Sequence, residues 1–235
     1  MATVFITGAN RGLGLEFAIQ YAAEGWKVIA TCRSPETAID LGRIRGNIHI
    51  LKMDITHMDE IRDVASKLKG VSIDVLLNNA GTHGPRDLNA SFGNLDLKAW
   101  HEVIAINLMA PLKITETFIE NVKVSEGKTI VFISSRAGSI SERGLLPYHQ
   151  YGGSYIYRSS KAALNAAAQS LSFDFAPQGI LVLVLHPGWV KTEMGGLEAL
   201  IDIETSVTKM RRIIGEFSPS NMGVFRNYDG TAIPW

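Results

Sequence analysis

Short runs rich in β-branched residues, separated by longer stretches of helical character, constrain the fold of this chain more than any other feature. Six such runs occur, at residues 4–6, 28–30, 49–51, 75–77, 130–133 and 181–184. They lack the apolar and polar alternation of a half-exposed strand, which indicates strands covered on both faces. The intervals between them can hold crossover helices. The pattern therefore predicts an α/β fold, a doubly wound parallel sheet with helices on both faces.

Bulk composition favours one domain and argues against several classes of protein. The 235 residues are 46% hydrophobic and contain no linker-like or repetitive tract, so we expect a single domain over residues 1–235. Basic and acidic residues number 23 each, which leaves no single-sign field to recruit nucleic acid. The sequence shows neither a signal peptide nor a membrane-spanning run, and its only cysteine is Cys32. We therefore expect a cytoplasmic protein with no membrane partner.

A glycine-rich turn follows the first strand-like run. The sequence T-G-A-N-R-G-L-G at residues 7–14 places glycines at positions 8, 12 and 14, and residues 15–23 then have a helical pattern. Glycines let the backbone turn tightly and approach a pyrophosphate, while the free N–H groups at the helix start favour the anion. Ordinary turns between a strand and a helix also contain glycine, so this turn alone identifies no ligand.

Two arginines bear on the identity of a cofactor. The second run ends at Thr31-Cys32-Arg33, where NAD-binding chains usually place an acidic residue for the ribose hydroxyls. Arg33 lies there instead, and Arg11 lies inside the glycine turn, so two guanidinium groups can hold a 2′-phosphate. This favours NADP(H) over NAD(H). The alternatives are that both arginines are solvated surface residues, or that Glu36 serves as the acid.

Tyr157 and Lys161 are the strongest candidates for chemistry. They are four residues apart in a predicted helix that runs to about Phe175, so both lie on one helix face. A phenol titrates near pH 10, and an ammonium that stabilises phenolate makes the phenol usable near neutral pH. Among the neighbouring tyrosines, only Tyr157 has a lysine at this spacing. The same spacing also arises by chance in surface pairs.

Further polar residues follow the other predicted strands. Ser134 and Ser135 follow the fifth run and place two hydroxyls at the edge of the sheet where ligands bind. Asn107 lies inside a long predicted helix, where asparagine has poor propensity and needs another reason. The six histidines show no metal-ligand spacing, so we expect no metal.

Taken together, these motifs resemble the short-chain dehydrogenase/reductase family. The glycine turn, N-N-A-G at residues 78–81, the serine, Y-x-x-x-K and P-G-x-V-x-T at residues 187–192 occur in the family's order over nearly the whole chain. The resemblance implies a Rossmann-type fold and a catalytic set of Asn107, Ser135, Tyr157 and Lys161. Ser134 replaces Ser135 if the register differs by one.

The same resemblance implies where the cofactor binds. Asp54 matches an aspartate near the adenine, although a helix N-cap or a turn fits that residue nearly as well. An asparagine of N-N-A-G ties neighbouring strands together in the family. The implied cofactor-binding residues are Gly8, Asn10, Arg11, Gly12, Leu13, Gly14, Arg33, Asp54, Ile55, Asn79, Ala80, Gly81, Tyr157, Lys161, Pro187, Gly188, Val190 and Thr192.

The finer motifs T-G-A-N-R-G-L-G, H-P-G-W-V-K-T-E-M-G-G and N-Y-D-G-T-A-I-P-W resemble the sniffer and C-factor branch of carbonyl reductases. This implies reduction of a ketone, aldehyde or quinone with NADPH, with Tyr157 as the general acid. Ser135 would steady the substrate oxygen, and Lys161 would lower the pKa of the tyrosine. A homodimer formed through the helices of Asn107 and Tyr157 is implied as well.

Two segments are predicted to cover the substrate. Ser135 and Tyr157 are 22 residues apart, more than is common in the family, so residues 139–154 are predicted to form a substrate loop and residues 193–215 a lid. Loop residues that could roof the site are Leu145, Leu146, Tyr148, His149 and Tyr151.

Two other functions compete with a reductase. A non-catalytic NADP(H)-binding regulatory or signalling protein would have the same fold, but it would be free to lose the catalytic set. An epimerase or dehydratase needs a larger substrate domain than the residues after Thr192 provide.

Overall fold

The structure is a computed structural model and describes residues 1–86, 92–144, 154–219 and 223–235. Its strands are β1 Thr3–Thr7, β2 Lys27–Cys32, β3 Ile48–Lys52, β4 Val75–Asn78, β5 Thr129–Ile133, β6 Leu181–His186, β7 Phe225–Asn227 and β8 Ala232–Ile233. Its α-helices are α1 Gly12–Ala23, α2 Ile39–Gly42, α3 Met58–Lys67, α4 Leu97–Ile104, α5 Ala110–Lys123, α6 Tyr155–Phe175 and α7 Ile203–Gly215. A π-helical segment, Ala105–Met109, joins α4 to α5.

The described strands form one sheet in the order β3-β2-β1-β4-β5-β6-β7-β8. All neighbours are parallel except β7 and β8. Successive residues of β1 point to opposite faces: Val4 and Ile6 join a core cluster with α1, α2 and α7, whereas Phe5 joins a second cluster with α3, α5 and α6. Both faces are therefore covered, and the predicted α/β fold with a doubly wound sheet in a single domain is confirmed.

The strand order reverses between β1 and β4. From β1 the chain adds β2 and β3 on one side, then returns to place β4 on the other side. Ligands of open parallel sheets bind in the crevice at such a reversal, beyond the carboxyl ends of the strands. The segments that follow β1, β4, β5 and β6 all begin at this edge, and they carry the predicted site residues.

Two short strands at the end of the chain extend the sheet beyond the six that the sequence predicts. β7 pairs in parallel with β6, and β8 returns antiparallel to β7. The ring of Trp235 stacks on Phe225 with a centroid distance of 5.5 Å. The main-chain oxygen of Trp235 accepts a hydrogen bond from the N–H of Ile140 at 2.8 Å, so this hairpin anchors the chain just after β5. Strands of three and two residues carry too few apolar positions to be recognised by pattern.

The two predicted covering segments are placed in part. Residues 145–153 of the substrate loop, including Leu145, Leu146, Tyr148, His149 and Tyr151, lie outside the described residues. Within the predicted lid, residues 203–215 form α7, whose Val207, Met210 and Ile214 are buried in the first core cluster. Helix α7 is therefore a fixed layer of the fold, and the lid proposal is restricted to residues 193–202.

Candidate active site

The glycine turn packs directly against the segment that follows β4. A Cβ atom added to Gly14 would lie 2.2 Å from the carbonyl oxygen of Gly8 and 2.6 Å from Asn79 Nδ2, so only glycine fits. Asn79 Nδ2 donates to the carbonyl oxygens of Thr7 at 2.9 Å and Gly8 at 3.2 Å. Thr7 Oγ1 accepts from the N–H groups of Asn79 and Ala80 at 3.0 Å each. These bonds fix the turn and the N-N-A-G segment as one unit.

Helix α1 starts at this turn and presents its first N–H groups at the sheet edge. The residue before the helix, Arg11, makes no side-chain cap, so those N–H groups remain available to an anion. Asn10 and Arg11 are exposed, whereas Leu13 packs against the first core cluster. Arg11 forms an ion pair with Glu193 from the segment after β6.

Arg33 lies exposed at the carboxyl end of β2, beside the end of β3. Its charge contributes to a lowered pKa of the Asp54 carboxyl: burial raises that pKa, but hydrogen bonds from Thr56 and the charges of His57 and Arg33 outweigh it. Cys32 is 4% exposed and points into the first core cluster. Glu36 is exposed in a short turn. Arg33 forms no ion pair with a carboxylate of the described residues, and it lies near the place where an acidic residue would hold ribose.

Asp54 closes a local turn. Its Oδ1 accepts from the N–H of Thr56 at 2.9 Å and from the Thr56 hydroxyl at 2.7 Å. The N-cap of helix α3 is His57. Of the two structural alternatives for Asp54, the turn is therefore confirmed and the N-cap is wrong. The next residue, Ile55, packs against the second core cluster.

Lys161 is almost completely buried on α6. It is 5% exposed, and its Nζ donates to the carbonyl oxygen of Ile133 at the end of β5, at 2.9 Å. Burial lowers the pKa of Lys161 to about 8. No carboxylate of the described residues forms an ion pair with it. The amine can therefore change its protonation state near neutral pH.

Tyr157 lies one helical turn before Lys161 and beside the hydroxyl of Ser135. Burial raises the pKa of the phenol, while the hydrogen bond with Ser135 and the charge of Arg86 act in the opposite direction. The expected lowering of this pKa by Lys161 is thus not found. The groups that lower the pKa of Tyr157 are Ser135 and Arg86 instead.

The two candidate serines have different partners. Ser134 is 3% exposed and donates to Asn165 Oδ1 at 2.5 Å, inside the fold. Ser135 is partly buried, accepts from the N–H of Ala137 at 3.1 Å, and is the serine that bonds to Tyr157. The geometry therefore favours Ser135 over Ser134 as the serine of the site.

Asn107 occupies the π-helical segment and is 1% exposed. Its Oδ1 accepts from the N–H of Thr82 at 2.9 Å, and its Nδ2 donates to the Thr82 carbonyl at 2.8 Å and to Ser160 Oγ at 3.0 Å. A Cβ atom added to Gly81 would lie 3.2 Å from Asn107 Oδ1 and 3.6 Å from Lys161 Nζ, so residue 81 borders both side chains. These bonds explain why an asparagine stands inside this helix.

The segment after β6 covers the glycine turn. Gly188 adopts a φ of +84°, and an added Cβ would lie 2.4 Å from Ile201. Val190 is buried and pairs with Ile201. Thr192 accepts from the N–H of Gly195 at 2.9 Å, and its methyl carbon lies 3.7 Å from where a Cβ of residue 12 would be. Pro187 is tied to α7 through its carbonyl oxygen, which accepts from Ser206 at 2.6 Å.

His83 and Arg86 are neighbours of the site that the sequence did not single out. The His83 ring stacks on the Tyr157 ring, with centroids 4.4 Å apart and planes at 19°. All six histidines were expected to be satisfied or solvated, but His83 Nδ1 is buried without a hydrogen-bond partner among the described residues. The available signal was position, since both residues follow N-N-A-G at the sheet edge.

Neither a metal cluster nor a membrane helix is found in the described part of the chain. No group of three or more His, Cys, Asp or Glu residues there could hold a metal ion. No helix among those residues is long and apolar enough to cross a bilayer.

Comparison with known proteins identifies the family. The family model described as short chain dehydrogenase matches residues 2–199. The chain belongs to this family. It is 37% identical to the C-signal protein of Myxococcus xanthus over 163 residues, which cover 69% of this chain and 93% of that protein. The expected membership of the short-chain dehydrogenases is confirmed, and the protein is an oxidoreductase.

Solved structures of short-chain dehydrogenases share the whole fold. The carbonyl reductase Sniffer of D. melanogaster superimposes with a TM-score of 0.90 at 34% identity, covering 100% of both chains. The NADPH-bound carbonyl reductase from chicken fatty liver has a TM-score of 0.89 at 34% identity, covering 100% of this chain and 99% of that one.

The residues present fit a dinucleotide with a 2′-phosphate. The glycine turn leaves a side-chain-free cradle at the start of α1, which suits a pyrophosphate. Arg33, exposed at the end of the neighbouring strand β2, supplies a cation in place of an acid. Both features lie at the edge where β1 and β4 diverge.

Proposed function

We propose that this short-chain dehydrogenase reduces the carbonyl group of a ketone, aldehyde or quinone with NADPH. The observation that carries the proposal is the cluster of Tyr157, Ser135 and Lys161 at the carboxyl edge of the sheet, beside the glycine turn. The cofactor is NADP(H), and the substrate is a small molecule. Two structural neighbours that cover the entire chain are carbonyl reductases.

In the proposed mechanism Tyr157 is the general acid. NADPH, held by the glycine turn and Arg33, would supply a hydride, with its two electrons, to the carbonyl carbon. The Tyr157 hydroxyl donates its proton to the carbonyl oxygen, which completes the alcohol, and Ser135 donates a hydrogen bond to the same oxygen. Lys161, with a pKa of about 8, can return a proton to the phenolate near neutral pH. Asn107 holds the loop after β4 against α6 and so positions this set.

The remaining predicted residues would hold the cofactor. Gly8, Gly12 and Gly14 would cradle the pyrophosphate, with Asn10 and Leu13 in the same turn, and Arg11 and Arg33 would bind the 2′-phosphate. Asp54 and Ile55 would border the adenine. Nearer the reacting end would lie Asn79, Ala80, Gly81, Tyr157, Lys161, Pro187, Gly188, Val190 and Thr192.

Arg33→Ala tests the phosphate contact. Losing a charge-assisted contact to the 2′-phosphate should weaken NADPH binding by about 10- to 100-fold and leave NADH binding within about 2-fold. Titration of intrinsic fluorescence with each nucleotide measures both dissociation constants. Arg43→Ala is the matched control, since Arg43 is exposed beyond α2 and pairs with Asp40. Unchanged NADPH affinity in Arg33→Ala contradicts the proposed contact.

A panel assay tests the proposed function itself. NADPH oxidation is measured with quinones, isatin-like diketones, aldehydes and ketones, and at least one class is expected to turn over. The competing proposal is a non-catalytic NADP(H)-binding signalling protein, which would bind NADPH with no turnover of any class. The buried Lys161 beside Tyr157 supports catalysis, because burying an amine without need is costly.

The assembly, location and covering segments belong to the same proposal. A homodimer through α5 and α6 is supported by Met109 and Phe173, which are 57% and 71% exposed on or beside those helices. A cytoplasmic location suits a chain whose only cysteine, Cys32, is free and buried. Residues 139–154 and 193–202 would cover the substrate.

A further inference from the structure

One face of the Tyr157 ring is covered by an imidazole. His83 lies flat on the Tyr157 ring, at a centroid distance of 4.4 Å. Its Nδ1 is buried and has no hydrogen-bond partner among the described residues. Burial lowers the pKa of His83 and the charge of Arg86 lowers it further, while a backbone contact with Gly84 acts in the opposite direction, so the net shift favours the neutral ring. A buried ring nitrogen without a partner carries a free-energy cost unless a ligand completes its hydrogen bond.

Arg86 places a positive charge on the same side of the site. Arg86 follows His83 by three residues, is exposed, and its charge lowers the pKa of both His83 and Tyr157. One guanidinium nitrogen, Nη2, donates to the carbonyl oxygen of Met194, which brings Arg86 to the segment after β6. No carboxylate of the described residues forms an ion pair with Arg86, and the nearby Glu193 is paired with Arg11.

We propose that His83 and Arg86 bind a carboxylate of the substrate, so that the preferred substrates are oxo acids. The proposal rests on the proposed function, since it places the carbonyl oxygen on Tyr157. The carboxylate would accept from Arg86, whose planar guanidinium suits it, and from the Nδ1–H of His83. The exposed guanidinium and the buried ring nitrogen would then both contact one ligand group.

Matched acid and amide substrates test this proposal. Phenylglyoxylate and 4-oxo-4-phenylbutyrate are each compared with their dimethylamides, using NADPH oxidation by the wild-type enzyme and by Arg86→Gln. The acid and the amide differ in intrinsic reactivity, but this difference is the same for every variant. A change in the acid-to-amide ratio of kcat/KM between variants therefore reports on the protein. In Arg86→Gln this ratio should fall about 10- to 100-fold for at least one pair, since a charge-assisted hydrogen bond is lost. Arg45→Gln, which removes an exposed arginine before β3, should keep the wild-type ratio.

His83→Phe separates the ring nitrogen from the ring stacking. Phenylalanine keeps an aromatic ring on Tyr157 but removes Nδ1, so the acid-to-amide ratio should fall about 10-fold. A second measurement is the calorimetric binding of mandelate, the alcohol of phenylglyoxylate, to the enzyme with NADP⁺. If the acid-to-amide ratio falls for phenylglyoxylate, the dissociation constant of mandelate should rise in both Arg86→Gln and His83→Phe. If the ratio falls only for 4-oxo-4-phenylbutyrate, the alcohol used for the binding measurement is 4-hydroxy-4-phenylbutyrate instead.

Distinct outcomes would overturn the proposal. The proposal is wrong if Arg86→Gln leaves the ratio unchanged for both pairs. It is also wrong if Arg86→Gln lowers acid and amide turnover equally, since Arg86 then only positions the segment at Met194. A vicinal diketone preferred over both acids would mean that the pair binds a second carbonyl. Turnover of neutral carbonyls without these ratio changes leaves the proposed function standing, whereas no turnover of any carbonyl contradicts both.

Discussion

Replacing Tyr157 by phenylalanine is expected to lower kcat/KM for carbonyl reduction by about 10³-fold, in line with the usual contribution of a general acid. The substitution removes only the hydroxyl, so the aromatic ring remains on α6 and stays stacked on His83. Without that hydroxyl no positioned proton reaches the carbonyl oxygen as the hydride arrives. NADPH oxidation with the best substrate of the panel measures the loss, and the dissociation constant of NADPH should stay within about 2-fold, because the phosphates bind elsewhere.

Tyr155→Phe is the matched control for this variant. Tyr155 lies on the same helix, is 38% exposed, and should tolerate the same change with little effect on turnover. Circular dichroism and the urea midpoint distinguish lost chemistry from lost folding, and both should stay close to the wild type. If Tyr157→Phe retained wild-type turnover while remaining folded, Tyr157 would not be the acid, and the proposed mechanism would be wrong.

Much of the fold was predictable because its information is local. Apolar runs without alternation identify strands covered on both faces, as at Val4 and Phe5, which enter opposite core clusters. Parallel strands bring their carboxyl ends to one edge, so motifs far apart in sequence meet there. The bonds between Asn79 and Gly8 result from β4 lying next to β1. Helical spacing likewise puts Tyr157 and Lys161 on one face.

Other features depend on the assembled structure and leave no local pattern. The stacking of His83 on Tyr157 joins the segment after β4 to helix α6, and no periodicity relates the two. The raised pKa of Tyr157 reflects burial, which outweighs the favourable contacts of Ser135 and Arg86 and cannot be read from a spacing of four residues. Asp54 bonds to Thr56 two residues later, and the sequence allowed that turn equally with other roles. Tertiary surroundings decide each of these cases.

Lys161→Met is expected to abolish most activity and, at the same time, to stabilise the protein. Methionine fills similar volume without a charge. The lysine is 5% exposed and its pKa falls from 10.5 to about 8 on folding. Below pH 8 the amine is protonated in both states, so the folded state bears the full cost of a buried ammonium, on the order of 3 kcal/mol for a shift of this size. Loss of the bond to Ile133 offsets about 1 kcal/mol, which leaves a net gain of about 2 kcal/mol at pH 7.

The pH dependence gives this prediction its sign. Between pH 8 and pH 10.5 the unfolded chain holds a proton that the folded protein has released, so wild-type stability rises with pH in this window. The advantage of Lys161→Met should therefore nearly vanish by about pH 9.5. Urea unfolding of both proteins at pH 7, 8 and 9.5 measures the difference, and the melting temperature at pH 7 should rise by about 4–8 °C.

Lys69→Met provides the control, because Lys69 is exposed after α3. It should change neither stability nor its pH dependence by more than about 0.5 kcal/mol. Two results would contradict this prediction: Lys161→Met is less stable than the wild type at pH 7, or its added stability stays constant up to pH 9.5. Either result would show that burial of the Lys161 ammonium does not destabilise the folded protein. Lost activity combined with gained stability would instead show that Lys161 serves catalysis and lowers the stability of the folded protein.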